Sequence, residues 1–290
     1  MRHPKSPGFT LIELSIVLVI IGLIVGSVLV GQDLIRAAAV RAQISQIERY
    51  QTAVNTFRGK YGALPGDLNQ ATATQFGFVA RGAVPGEGDG NGLIQTNGYG
   101  YLQGYGETGL FWVDLSTAQI IEGSFTTASA SSSPVVDVTG SSLASYMPPA
   151  KLGGSNYVYV WGGDSTDNAP AFNYFGLSTV SKIVAGNGWI LSDPSSPGLT
   201  VQQAFGIDKK MDDGLPQSGA VLAIWDNANI GNAIAWAGSS GGSYVPPYST
   251  AVPASPTTCF DNGGGSGPQQ YSISQNNGAN VNCALSFQFQ

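Results

Sequence analysis

Apolar residues run from Phe9 to Val30 with Thr10, Glu13, Ser15 and Ser27 as the polar interruptions. As a helix rising about 1.5 Å per residue, this run reaches ~33 Å, enough to span a bilayer. From Asp33 to Lys60 the pattern changes without a breaker. Ile44, Ile47, Val54, Phe57 and Tyr61 fall on one stripe at helical period, which predicts that the helix continues as an amphipathic one. Gly59, Gly62 and Pro65-Gly66 end it, because glycine accepts a left-handed cap and proline cannot continue a helix. The rod so predicted has about 50 residues and measures ~78 Å. Beyond it, short apolar runs alternate with Gly-, Ser- and Pro-rich stretches. Strands are expected at Tyr157-Val158-Tyr159-Val160-Trp161, Ala171 to Leu177, Gly188 to Leu191, Ala220 to Trp225 and Ala284 to Phe289. Short helices are expected at Gly109 to Ile121 and Thr200 to Met211. Ser124 to Ser142 and Gly238 to Pro256 read as surface loops or spacers.

Composition refines this picture. Only 10% of the 290 residues are charged, against a typical quarter, and Gly is close to twice its ordinary frequency. With 42% hydrophobic residues the chain buries a real core, so global disorder is excluded. The charge is uneven. From Gly82 onward four lysines face fourteen acidic residues, a net −10, which repels nucleic acid. The remaining basic residues lie at or before Arg81. Arg36, Arg41, Arg49 and Arg58 fall mostly off the apolar stripe, where they solvate the helix or meet acidic patches of neighbouring subunits.

Arg2 and Lys5 precede the apolar run and no basic residue follows it until Arg36, so the amino terminus stays cytoplasmic and the rest is exported. A secretory signal places its cleavage site after a shorter apolar region. Here a short basic leader ends in Pro7-Gly8 and the apolar helix begins at once. The carboxylate of Glu13, fifth after Gly8, is costly inside a membrane and calls for a partner. A plain signal anchor needs neither the Gly-Phe junction nor this glutamate.

The segment Gly8-Phe9-Thr10-Leu11-Ile12-Glu13-Leu14 resembles the processing and assembly signal of type IV pilins and the pseudopilins of type II secretion. The resemblance implies a cut between Gly8 and Phe9 by a membrane-embedded prepilin peptidase, which also N-methylates Phe9. It implies too that Glu13 pairs with the terminal amine of a neighbouring subunit. A carboxylate opposite an ammonium in an apolar filament core removes two unpaired charges together. The cut removes Arg2, Lys5 and the sole histidine, His3, leaving ten basic against eighteen acidic residues, a net −8. Mechanisms that need imidazole, a Ser-His-Asp triad or a His-ligated zinc among them, go with it.

Looser similarity to pilin-like proteins of Gram-negative bacteria lies in Leu64-Pro65-Gly66-Asp67, Gly88-Asp89-Gly90-Asn91-Gly92 and the stretch Gly206 to Gly214. The resemblance implies an α+β fold: a long N-terminal helix, transmembrane in its first half and amphipathic in its second, packed on an antiparallel sheet with long Gly/Ser-rich loops. The expected organisation is a leader over 1–8, the membrane and assembly helix over 9–60, and an exported domain over 61–290. Gly22 and Gly26 have the spacing of a close helix contact, and equally suit local melting of the helix during assembly.

Glu87-Gly88-Asp89-Gly90-Asn91-Gly92 sets oxygen side chains at positions 1, 3 and 5 with Gly at 6, the opening of a calcium loop. Gly98 stands at position 12 where a bidentate Glu belongs, so the full motif fails. A shortened Ca2+ loop through Glu87, Asp89 and Asn91, completed by Asp67, Glu107 or Asp114, is one reading, and the resemblance adds that major pseudopilins use calcium. A turn cluster of residues that tolerate left-handed dihedrals is the other. Asp208, Asp212 and Asp213 read as a helix-end turn before a metal site.

Cys259 and Cys283 are the only cysteines, and in an exported chain they read as a disulfide. No basic residue or histidine lies beside them to support reactive thiols. Carboxy-terminal disulfide loops recur in the family the signal resembles.

Two strings imitate enzyme motifs. Gly104-Tyr105-Gly106-Glu107-Thr108-Gly109 matches G-x-G-x-x-G without a preceding βαβ strand, and Glu107 would oppose a phosphate. Gly238-Ser239-Ser240-Gly241-Gly242 matches G-x-S-x-G without a histidine to activate Ser240. Both read as turns. Tyr99, Tyr101, Tyr105 and Trp112, or Tyr157, Tyr159 and Trp161, would line a glycan or partner surface if exposed, whereas alternation makes the second set a half-buried strand.

These readings converge on a non-enzymatic filament subunit, a minor or specialised pilin. Its partners are prepilin peptidase, other pilin or pseudopilin subunits and the inner membrane, with no nucleic acid. The precursor sits in the inner membrane with its C-terminal domain periplasmic, and the filament is periplasmic or extracellular. The alternatives are a pseudopilin of type II secretion and a pilus-displayed adhesin.

Overall fold

The computed structural model describes residues 10–96, 102–163, 172–191, 197–227, 234–238, 255–263 and 267–290. One helix, α1 (Leu11–Tyr61), carries the amino-terminal part. Thr10 caps it with a capping box: its side chain accepts from the Glu13 backbone, while the Glu13 carboxylate accepts from the Thr10 backbone. Gly62 closes it at φ +79°, donating to the Arg58 carbonyl. From Leu11 to Ala38 every residue but Gly31 is exposed, and burial begins at Val40. Val40, Gln43, Gln46, Ile47, Ala53, Val54 and Phe57 then form the face against the domain. The predicted stripe lies on that face, with Ile44 and Tyr61 half-buried at its margins.

Among the described residues three shorter α-helices follow, α2 (Gln70–Phe76), α3 (Gly106–Thr117) and α4 (Val201–Met211). The α2 helix went unread because its apolar content is slight. Its signals are the Asn69 side chain accepting from Thr72 and Gly77 at φ +74°. In α3 the helix starts at Gly106, earlier than the apolar run suggested, and in α4, expected from Thr200, that residue is the cap and forms a second capping box with Gln203.

The strands are β1 (Val138–Thr139), β2 (Asn156–Gly162), β3 (Asn173–Thr179), β4 (Lys182–Ile183), β5 (Ile190–Leu191), β6 (Leu199–Thr200), β7 (Val221–Leu222), β8 (Ile224–Asp226), β9 (Ile234–Trp236), β10 (Phe260–Asp261), β11 (Gln270–Tyr271), β12 (Val281–Cys283) and β13 (Leu285–Gln288). The principal sheet runs β2-β3-β13-β7, antiparallel throughout. The architecture is therefore α+β, a long helix followed by a domain of antiparallel sheets.

Aromatic rings join α1, α3 and the sheet. Tyr50 meets Trp112 edge-on at 4.9 Å, Phe111 meets Phe175 at 5.9 Å and Phe175 meets Phe289 at 4.4 Å. Gly176 admits the Tyr159 ring: a Cβ there would stand 2.1 Å from that ring. The expectation of a half-buried β2 is corrected, since Tyr159 and Trp161 are fully buried. The β8–β9 side covers that face, where the Asp226 N–H donates to the Tyr159 hydroxyl at 2.9 Å, and Trp161 donates to Ser286 Oγ. Nor is Ser124 to Ser142 wholly a surface spacer. Phe125, Ala128 and Ala130 are buried in it and Val138–Thr139 is a strand.

Candidate functional site: the helix start, an acidic loop and a disulfide ring

At the start of α1, Thr10 directs both its backbone N–H and its hydroxyl to Glu13 Oε2, each at 2.8 Å. Both hydrogen bonds end on one carboxylate oxygen. The predicted cleavage pair, Gly8 and Phe9, lies outside the described residues. The exposed arm ahead of Val40 is long and apolar enough to cross a membrane.

Where α1 ends, Leu64-Pro65-Gly66-Asp67 enters a polar core. Arg81 donates two hydrogen bonds to Asp114, at 2.6 and 2.8 Å, and further ones to the carbonyls of Leu68 and Val79. Both side chains of this ion pair have no exposed surface. Burial pushes the Asp114 carboxyl up, and the Arg81 guanidinium and the Gly66 N–H pull it back down. Gly66 stands at φ +85°, and a Cβ there would sit 2.2 Å from the Glu107 carbonyl oxygen.

Above that pair the glycine-rich loop wraps two buried carboxylates. Asp67 Oδ1 accepts from Gly90 and Asn91, and Oδ2 from Gly92. Glu107 Oε1 accepts from Gly88 and Asp89, and Oε2 from Gln95. Gly88, Gly90 and Gly92 all have positive φ, which turns the intervening N–H groups inward as an anion nest. Burial raises Asp67 to about 6, against the N–H bonds from Gly92 and Gly90, and raises Glu107 to about 8, with Asp67 adding to the rise.

The structure brings Asp67, Asp89 and Glu107 together, with ligand atoms within 4.8 Å of one another. Of the two acids singled out in the sequence, Asp89 belongs to this group and Glu87 does not. Glu87 Oε2 accepts from the Val84 N–H, and Asn91 donates to Asp89 Oδ2 while its own oxygen accepts from Leu93. Asp114 is committed to Arg81. The donor set is all hard oxygen, and among the described residues Asp67 Oδ2 and Glu107 Oε2 each take only one hydrogen bond. A hard divalent cation therefore suits the chemistry of Asp67, Asp89 and Glu107, and would lower their proton affinity.

Asp208, Asp212 and Asp213 form the second acidic group, and they terminate α4 as a turn. Asp208 accepts from Gly214 and from the Tyr271 hydroxyl, and burial raises it to about 7. Asp213 accepts from Leu215 and Ser218, and Asp212 from Ala220 and Val221.

Cys259 and Cys283 form the expected disulfide, with Cα atoms 5.0 Å apart. The ring it closes contains the β10–β11 hairpin, and Asn282 ties it to the carbonyls of Pro256 and Thr258. Of the two enzyme-like strings, Gly104-Tyr105 is a turn but Gly106 to Gly109 form the first turn of α3, which corrects the turn reading. The second lies outside the described residues after Gly238. Tyr99 and Tyr101 likewise lie outside them, and Trp112 is buried.

Residues 4–29 match the family model described as the prokaryotic N-terminal methylation motif. No curated protein and no solved structure matches the chain. The motif and the long apolar helix behind it are consistent with a type IV pilin-like protein, of the pilin or pseudopilin type.

Proposed function

We propose that this chain is a structural subunit of a type IV pilus-like filament, a minor or specialised pilin. In this reading prepilin peptidase cuts between Gly8 and Phe9 and N-methylates Phe9, and α1 then enters the filament core. The single observation that carries it is the methylation motif at residues 4–29 opening a 51-residue helix whose first half touches nothing in its own domain. Such an apolar surface needs a membrane before assembly and neighbouring subunits after it. Glu13 recruits the incoming subunit by pairing with its terminal amine. The globular part, some 230 residues, suits a specialised position better than a densely repeated one.

Two substitutions test the reading. Glu13→Ala is expected to leave processing intact and to impair incorporation into filaments, whereas a Gly8 substitution should leave full-length precursor in the membrane. Normal filament entry by the Glu13 variant would sink the pairing. The pseudopilin alternative predicts a filament confined to the periplasm, which immunolabelling of intact cells separates from a surface pilus.

A further inference from the structure

Of the three residues Tyr157, Tyr159 and Trp161, only Tyr157 keeps part of its surface, and it borders a cavity of about 390 Å³. That volume lies within the roughly 300 to 1,000 Å³ range of small-molecule sites. The walls come from the 3-10 turn after β1 (Gly140 and Leu143), the entry to β2 (Gly154, Ser155 and Tyr157), and the link from β3 to β4 (Thr179, Val180 and Ser181). None of these residues is charged. Leu143 and Val180 are buried and supply an apolar floor, the tyrosine supplies a ring, and Ser155 and Thr179 supply hydroxyls.

Ser155 is the unusual member. It holds φ +61°, the left-handed region, directly after Gly153 and Gly154 at +71° and +69°. A third glycine would take that conformation without strain, so a serine here asks for a reason. Its Oγ makes no hydrogen bond among the described residues, while its carbonyl is fixed by the Val180 N–H at 3.1 Å. The Tyr157 hydroxyl reaches only the Gly140 carbonyl, at 3.5 Å, the outer limit of a hydrogen bond. Ser155 is exposed, so its hydroxyl and that of Tyr157 stand at the solvent edge of an uncharged, partly apolar hollow, where a ligand's hydroxyls would replace water.

We propose that this hollow binds a neutral saccharide unit. A pyranose offers an apolar C–H face to a tyrosine ring and hydroxyls that both donate and accept, which serine, threonine and tyrosine match. It carries no charge, as the lining carries none to meet one. The assignment concerns a wall of the domain remote in sequence from α1, so it does not depend on how the subunit is anchored or assembled.

The test uses the full-length protein in a phosphocholine detergent, which adds no sugar headgroup. Glucose, galactose, mannose and N-acetylglucosamine are titrated separately by saturation-transfer NMR. Saturable binding of at least one is expected, and Tyr157→Ala and Ser155→Gly should each weaken it about fivefold or more. Ser155→Gly removes the hydroxyl while supplying the residue best suited to the backbone, so its melting temperature should not fall, which separates a lost site from a lost fold. Absence of saturation with all four sugars, or equal binding by both variants, would overturn the proposal.

Discussion

The Tyr271 hydroxyl donates to Asp208 Oδ2 at 2.7 Å, fastening the disulfide ring to the end of α4. Phe205 packs edge-on to the same tyrosine at 5.9 Å, so the contact is both apolar and polar. Tyr271→Phe keeps the ring and strips one donor from a buried carboxylate. It is expected to cost about 1 to 3 kcal/mol in denaturant unfolding of the protein, and Tyr271→Ala more.

Asp208, Asp67 and Glu107 have folded-state values raised to about 7, 6 and 8. An acid whose value is raised on folding binds its proton more tightly in the native state. These groups therefore favour folding most at low pH, and that contribution fades as pH rises through each folded value. Melting temperature, followed by circular dichroism without divalent cations, should fall between about pH 4 and pH 8. Asp208→Asn should flatten the part of the slope that runs from about pH 4 and ends near 7. A melting temperature that climbs across the same window would contradict the assignment.

Calcium should reverse that loss if Asp67, Asp89 and Glu107 hold it, because the cation favours the ionised forms. Isothermal calorimetry is expected to show heat with Ca2+ that Asp67→Asn and Glu107→Gln abolish, and EDTA should lower the melting temperature. No calcium heat together with no chelator effect would leave the loop held by its backbone N–H groups alone.

Arg81→Met removes the partner of a fully buried carboxylate. A loss of about 3 to 5 kcal/mol is expected from chemical denaturation, since the uncompensated charge of Asp114 stays behind. Arg81→Met combined with Asp114→Leu should recover a substantial part of it, because neither charge then remains. A double variant no better than the single one would place the cost elsewhere.

Replacing both Cys259 and Cys283 by serine frees a loop spanning 24 positions. The loop-entropy account puts the loss at roughly 3 to 4 kcal/mol. Denaturant curves of the double variant check this, with the m-value reporting any expansion of the unfolded chain.

What the sequence made legible was whatever rests on periodicity and on local chemistry. The stripe through Ile47, Val54 and Phe57, the glycine stop at Gly62 and the short helix ending at Met211 are all local signals, and each stands where it was expected. The pairing of Cys259 with Cys283 needed only a count. What depends on contacts distant in sequence was not legible. The sequence offers Asp67, Glu107 and Asp114 as alternative completions of the loop, and only the fold selects among them, setting Asp67 and Glu107 in one nest and Asp114 on Arg81. Glu87 looked like the first ligand of a loop, yet Val84 claims it. The β2 strand alternates as a half-exposed strand should, and its second face is covered by residues some sixty positions later. The short helix α2 was missed because it has one buried residue, Ala73, and no stripe.

The exposed part of α1, Leu11 to Ala38, extends roughly 42 Å before the domain takes hold of the helix. In the proposed filament, tension on a subunit would enter through that arm and pass to the domain where the helix is first held. Gln43 accepts from the Leu152 N–H, and Gln46 both accepts from Lys151 and donates to the Pro149 carbonyl. These bonds bridge the helix to the segment just before β2, so an axial pull loads several attachments at once before it reaches the sheet. The two glutamines thus share that load with the apolar face from Val40 to Phe57, which reaches the sheet through Tyr50 and Phe175.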